Sequence, residues 1–508
     1  MGYARTYSIQ PDYPYGSIVT IEVDTRPGLY SFTIAGLGDT SLNEARERVG
    51  AAIQACGLTS PRHSNVKTTV LLSPSTLKKE GSHYDLGIAY AFLCASRQIK
   101  PHNHDFIFLG EVNLDGTILP IQQPYTCGKT LNEYAQFSQY SIVCHPETAP
   151  VFEKFGYTTI SVTHLGECIK KISGELIFTR NTPSQPKALL NNKCAFKDII
   201  YHERVKRALF IGSVGQHHTI LFGPPGSGKT LLADATAKLL PPLTEQEELV
   251  FSCIQEHSGN TPQDNTRIRR PHHSIGVASL IGGKLPGELS KAYKGILILN
   301  ELGEFDKKCL EALREPLEEG RVHITRHGIA RTDTTQCYVI ATMNPCACGY
   351  FGSTTKPCSC LPSTRSKHIQ KISEPLFERF SICCRVDVVD KEPTLVETRN
   401  NNSSNNNQYT QEAAHEAQQY MLNRNFEAFG FKICNGYLRQ PTLDMLKFET
   451  QAQQLFVSYT QKTNVSHRVA RNLMCVARTI ADINQSKKVL RSHVIEALGY
   501  RTSLPRDS

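Results

Sequence analysis

At 508 residues, with 40% hydrophobic and 20% charged side chains, the chain exceeds what one hydrophobic core organises and can bury two or three. No apolar run approaches the length that crosses a bilayer and no charged-then-apolar leader opens the sequence, so a cytoplasmic protein is expected rather than a membrane or secreted one. The net charge of +9 is compatible with a polyanionic partner without specifying one, and the 17 cysteines, an odd number scattered through apolar segments such as Cys383-Cys384, read as reduced thiols rather than a disulfide framework.

The run Ser17–Asp24 is rich in branched residues and predicts a strand. A helix follows, its start marked by the capping-box spacing Ser41 to Glu44 and its stop by Gly57. Strands are predicted at Lys67–Leu72 and Phe106–Leu109, on either side of an apolar helix from about Asp85 to Ser96, which makes residues 1–181 an α+β domain. Two prolines among polar residues at Thr182–Lys187 mark a boundary, and a second region runs over 182–396. The Asn/Ser-rich stretch 397–408 is too polar to bury and reads as a linker; beyond it, 409–508 is predominantly helical, with a periodic run from Ser466 through Asp482.

The central region carries the chemistry. Thr219–Phe222 is a short apolar strand, Gly223, Pro224, Pro225, Gly226, Ser227, Gly228, Lys229 and Thr230 form a glycine-rich turn, and Leu231–Leu240 continues as a helix. That is the context a phosphate-binding loop requires. Glycines let backbone N–H groups converge on phosphates, the helix N-terminus adds positive potential, Lys229 neutralises terminal phosphate charge, and the Thr230 hydroxyl ligates Mg²⁺. ATP and Mg²⁺ are the implied cofactors.

A second apolar strand, Gly295–Leu299, ends in Asn300 and Glu301, the place for the acid that organises Mg²⁺ and the base that polarises the attacking water. Here an amide stands where an aspartate is usual. Glu301 remains available to orient water, while Asn300 weakens the hold on the metal, so both an active and an impaired ATPase are consistent with these residues.

Cys346-Ala-Cys348 and Cys358-Ser-Cys360 make two thiol pairs separated by a glycine-containing loop. Four soft ligands suit tetrahedral Zn²⁺, but C-x-C is tighter than the commoner C-x-x-C knuckle, and reduced thiols remain the alternative. Arg267, Arg269 and Arg270 with His272 and His273 form a basic stretch that suits phosphate contacts or, equally, a solvated or intersubunit face.

Several further strings carry a resemblance: Arg270-Pro-His-His-Ser274, Leu280-Ile-Gly-Gly283, Pro286-Gly-Glu-Leu-Ser290, Glu315-Pro-Leu-Glu-Glu-Gly320 and Ala341-Thr-Met-Asn-Pro-Cys346 closely resemble the ComM/YifB-type, magnesium-chelatase-like AAA+ ATPases. Glu44–Arg48, Lys79–Asp85 and Gly110–Asp115 look like that family's amino-terminal Lon-protease-like domain, and Val476–Asp482 like its lid helix, so the likeness covers nearly the whole chain. The resemblance implies an α/β fold with an AAA+ P-loop core and a helical lid, preceded by an α+β Lon-like domain. That domain reads as noncatalytic, because the pattern around Ser82 is not the proteolytic one and Lys129 is only a loose match for its base.

Carried over residue by residue, Asn344 resembles the polar sensor beside the γ-phosphate, Arg379 the arginine finger that reaches a neighbour's nucleotide, and Arg468 the sensor arginine of the lid. Cross-subunit placement of Arg379 implies a homo-oligomeric ring, with a hexamer the family expectation. Tyr201-His202 replaces the family's usual Gly-Gln pair, and the loop Gly283–Gly287 looks shorter than its counterpart, which leaves adenine and substrate contacts less defined than the phosphate site. The function implied is an ATP-driven motor on single-stranded or branched DNA, a helicase or branch-migration factor in natural transformation. The alternatives are a chelatase-like remodeller of a protein client and a nucleotide-binding regulator with weakened hydrolysis.

Overall fold

The computed structural model describes residues 2–36, 40–63, 66–76, 79, 81–102, 104–173, 192–258, 266–326, 329–353, 356–388 and 408–501. The boundary at 182–187 and all of the linker 397–408 but its last residue lie outside them. The chain divides into two compact units, one of residues 1–187 with 249–260, the other of 188–248 with 261–508.

The first unit is built on β1 (Gly2–Gln10), β2 (Ser17–Pro27), β3 (Ser31–Ala35), β4 (Val66–Ser73), β5 (Phe106–Leu109), the hairpin β6 (Glu111–Val112) and β7 (Ile118–Leu119), β8 (Ser141–Cys144) and β9 (Thr159–Ser161). Seven of these form one mixed sheet in the order β3-β4-β2-β1-β5-β8-β9. In β2 the branched residues Val19, Ile21 and Val23 alternate into the core, the period-2 pattern of a half-covered antiparallel strand. β5 and β8, in the parallel half, are buried at every position.

The helix Asp85–Ala95 is apolar all round because it is buried all round. Its first residue, Asp85, is fully buried against the Arg48 guanidinium at 2.7 Å. Burial raises the Asp85 carboxyl to about 7, against the opposing pull of Arg48. Glu256 accepts from the backbone N–H groups of Tyr125 (2.7 Å) and Thr126 (2.9 Å), satisfying two orphan donors at the start of the helix Pro124–Glu133.

The second unit holds β10 (Thr219–Phe222), β11 (Ile268–Arg269), β12 (Ile296–Leu299), the hairpin β13 (Arg321–Arg326) and β14 (Ile329–Thr334), β15 (Tyr338–Met343) and β16 (Ile382–Arg385). Five form a wholly parallel sheet in the order β11-β12-β15-β10-β16. β10, β12 and β15 are buried at every residue, as strands covered on both faces must be, which is why they read as unbroken apolar runs. The helices Gln411–Phe429, Thr450–Thr463, His467–Ile483 and Arg491–Gly499 bury apolar residues in the same cluster as β10, β12, β15 and β16.

Two of those helices, Gln411–Phe429 and His467–Ile483, are tied by a buried polar network. Asp482 accepts from Arg424 Nε at 2.9 Å and pairs with Arg478 at 2.9 Å, and Asn435 Nδ2 donates to both Asp482 and Thr479 at 2.9 Å. Each charge is matched by a partner of opposite sign, the condition under which charges survive in a core.

Most strand predictions land within a residue or two, while helix ends differ. The helix expected to be capped by Ser41 begins at Thr40, which puts Ser41 inside the first turn; it ends at Ala55, and Gly57 stops it in the left-handed region at φ 74°. The helix expected over 231–240 runs from Lys229 to Thr236 and tightens into a 3₁₀ turn at Ala237–Leu239. Ser466 does cap its helix, accepting from the Val469 N–H at 3.3 Å. Lys129 lies over the Tyr15 ring at 4.3 Å, and among the described contacts none joins it to Ser82.

Candidate functional site

In an open parallel sheet, ligands bind outside the carboxyl ends of the strands. β10 leads into the glycine-rich turn, β12 into Asn300 and Glu301, and β15 into Asn344, so three of the predicted features share that edge. The turn is shaped by its glycines. A Cβ on Gly223 would meet the Val386 carbonyl oxygen at 1.9 Å, and Gly226 and Gly228 hold φ of 77° and 84°.

Gly228 closes the turn at the start of the helix Lys229–Thr236, whose first amides face the loop, and Thr230 is exposed in that first turn. Lys229 Nζ donates to the carbonyls of Gly223 and Pro224, both at 2.7 Å, curling over the turn it belongs to. Burial pulls its ammonium down to about 8, and the nearby Glu301 carboxylate opposes that shift. The Ser227 hydroxyl is buried within the turn without a partner among the described residues. A cradle of amides with an unmet hydroxyl and a half-desolvated lysine suits a polyphosphate.

Thr342, in β15, links the next two residues of interest. Its hydroxyl donates to Asn300 Oδ1 at 3.3 Å and accepts from the Glu301 N–H at 3.2 Å. Glu301 sits at φ 56°, a left-handed conformation that costs a non-glycine residue roughly 1–3 kcal/mol and recurs where side-chain aim matters. The Asn344 carbonyl accepts from His368 Nε2 at 3.2 Å, leaving its amide side chain half-buried at the sheet edge. Thr230, Asn300 and Glu301 offer hard oxygen donors, the set that Mg²⁺ takes alongside nucleotide phosphates.

Arg379 and Arg468 lie together but apart from this edge in their contacts. Arg379 Nη2 reaches Glu318 at 2.8 Å; Arg468 Nη2 reaches the same carboxylate at 3.1 Å and its Nη1 reaches Glu378 at 3.2 Å. Burial pushes the Glu318 carboxyl up, but the bond from Arg468 and the charges of Arg379, Arg468 and Arg471 outweigh it and hold Glu318 below its usual range. None of the described contacts of either arginine is with residues 223–230 of the same chain. Sequence reading passed over Glu318, which stands inside a quoted string without a role, and over Thr342 and His368, whose partnerships appear only on folding.

Arg267 donates to the Lys294 and Pro241 carbonyls at 3.0 and 2.7 Å, Arg269 pairs with Glu288 at 2.7 Å, and Arg270 pairs with Asp234 at 2.8 Å. These guanidiniums fasten β11 and its flanking residues to their neighbours. Cys346, Cys348, Cys358 and Cys360 do come together, each offering its sulfur within 4.8 Å of the other three.

Residues 195–394 match the magnesium chelatase subunit ChlI family, 21–136 a second segment of subunit ChlI, and 402–501 its C-terminal region. Protein YifB of Escherichia coli K12 is 31% identical over 494 residues, covering 95% of this chain and 94% of its own. The chain belongs to the ComM/YifB-type magnesium-chelatase-like family. Competence protein ComM of Haemophilus influenzae is 29% identical over 515 residues, 99% of this chain and 98% of that protein. A magnesium-chelatase 67 kDa subunit of Chlorobaculum parvum is 27% identical over 154 residues, 30% of this chain and 23% of the subunit. The matched residues 195–394 span the parallel sheet and the edge that gathers Lys229, Glu301 and Asn344. No helix among the described residues is long and apolar enough to cross a membrane.

Proposed function

We propose that this chain is an ATPase that works as a homo-oligomeric ring, with a hexamer expected, and drives remodelling of single-stranded or branched DNA in recombination during natural transformation. The observation that carries the ATPase half is the amide-lined turn with Lys229 curled over it, beside Glu301 on the same edge of a parallel sheet. Lys229 and the turn amides grip the phosphates, Thr230 and Asn300 hold Mg²⁺, Glu301 orients the attacking water, and Asn344 places the γ-phosphate. Held there, Mg²⁺ would supply neutralisation of the phosphate charge.

Arg379, held beside Arg468 on Glu318, faces a neighbour's nucleotide in this reading, which accounts for its lack of contact with the chain's own turn, and Arg468 serves as the sensor arginine of the lid. The helices after residue 408 act as the lid, and the first unit as a noncatalytic Lon-like scaffold, since its Lys129 is engaged with Tyr15. The DNA half rests on likeness to a competence protein along almost the whole chain.

ATP turnover measured with and without single-stranded and branched DNA tests the proposal. Stimulation that weakens with salt supports it; turnover indifferent to DNA but raised by a protein client would replace it with the chelatase-like reading. Nucleotide binding without turnover would favour the regulator, for which Asn300 is the specific observation.

A further inference from the structure

The four clustered cysteines have a geometry that free thiols do not need. The sulfurs of Cys346 and Cys348 are 3.4 Å apart, those of Cys348 and Cys358 3.5 Å, and those of Cys346 and Cys358 3.7 Å. Four sulfurs at about 2.3 Å from one Zn²⁺ form a tetrahedron with edges of about 3.8 Å. The Cys348 N–H points at the Cys360 sulfur at 3.3 Å and the Phe351 N–H at the Cys346 sulfur at 3.4 Å. Amides aimed at sulfur stabilise thiolates and are the outer-shell partners a metal site requires.

The position of the cluster is as informative as its shape. Cys346 follows Asn344 by two residues, and among the described residues no helix or strand intervenes between Met343 and Pro362. That irregular segment packs onto the phosphate turn: a Cβ on Gly349 would lie 2.7 Å from Pro225 Cδ. The helix Pro362–Gln370, which follows the cluster, returns His368 to the Asn344 carbonyl at 3.2 Å. Both ends of the cysteine segment therefore bear on the ATP site.

We propose that Cys346, Cys348, Cys358 and Cys360 bind one Zn²⁺ as thiolates, and that the ion braces the segment after Asn344 against the phosphate-binding turn. Closing the segment with a metal removes the conformational freedom that a loop of this kind otherwise has, and so fixes Asn344 and Pro225 relative to each other. The bracing rests on the ATPase reading; the metal site does not.

Elemental analysis of the full chain, purified without added metal or chelator, is expected to find about one zinc per chain. The double variant Cys358→Ser, Cys360→Ser is expected to lose it. Where that variant fails to fold, zinc is withdrawn from the wild-type protein by a chelator under circular dichroism and then restored. Withdrawal is expected to speed hydrogen exchange between residues 345 and 361 and to slow turnover roughly 10- to 100-fold, reversed by zinc alone. Iron in place of zinc, or Cys346, Cys348, Cys358 and Cys360 all reacting with a thiol reagent in folded, zinc-supplemented protein, would overturn the metal site. Exchange and turnover untouched by zinc withdrawal would overturn the bracing. Stoichiometric zinc in a protein with no ATP turnover would refute the ATPase reading while upholding the site.

Discussion

Replacing Asn300 by aspartate restores the charge expected at the end of β12. The change keeps the shape and the acceptor atom that Thr342 Oγ1 addresses at 3.3 Å, so the local fold should not move. What changes is one unit of negative charge next to the metal. At a separation of about 4 Å, one unit charge against the double charge of Mg²⁺ is worth about 2 kcal/mol in a water-like dielectric and about 8 kcal/mol at an effective dielectric of about 20. Asn300 is half-buried, which places it between these limits. The apparent magnesium constant of Asn300→Asp is therefore expected to tighten by at least about thirtyfold. The assay is steady-state ATP hydrolysis over a magnesium titration at saturating nucleotide. At limiting magnesium the variant should turn over faster than the wild type, and at saturating magnesium the two should converge. Superimposable titrations would remove Asn300 from the metal site altogether.

Lys229 is held down to about 8 by burial, so it sheds its proton as pH rises through 8, whereas a bound polyphosphate requires it charged. Nucleotide affinity should fall between pH 8 and 9.5, approaching tenfold per unit, with proton uptake visible by calorimetry in two buffers; a flat profile would mean that Lys229 does not meet the phosphates. Arg379→Ala is expected to cut turnover by roughly 10³-fold or more in assembled protein with little change in nucleotide affinity, and an assembled variant at full rate would end its role as a finger. Asp482→Ala leaves Arg424 and Arg478 buried without their shared carboxylate and should cost about 3–5 kcal/mol in a urea melt; a loss below about 1 kcal/mol would show that water reaches the network.

Much of this protein is local. A short unbroken apolar run bounded by turn residues fits a strand covered on both faces, whereas a longer one such as Asp85–Ala95 fits a buried helix, so β10, β12 and β15 are legible without any fold. The glycine pattern at residues 223–228 carries its own reason, since left-handed turns and a backbone approach that excludes a Cβ admit little else. These short-range constraints, with the order of the family strings, make the glycine-rich turn ending in Lys229 and the family legible in the sequence alone. Tertiary structure alone decided which charges meet. The sequence does not show which acids meet Arg269 and Arg270; Glu288 and Asp234, distant in sequence, close on them only in the fold. Glu318 becomes the shared partner of Arg379 and Arg468 only because folding brings together residues 61 and 150 positions apart. Periodicity and turn chemistry act over a few residues, whereas an ion pair is set by positions in space, and only the packed chain supplies those.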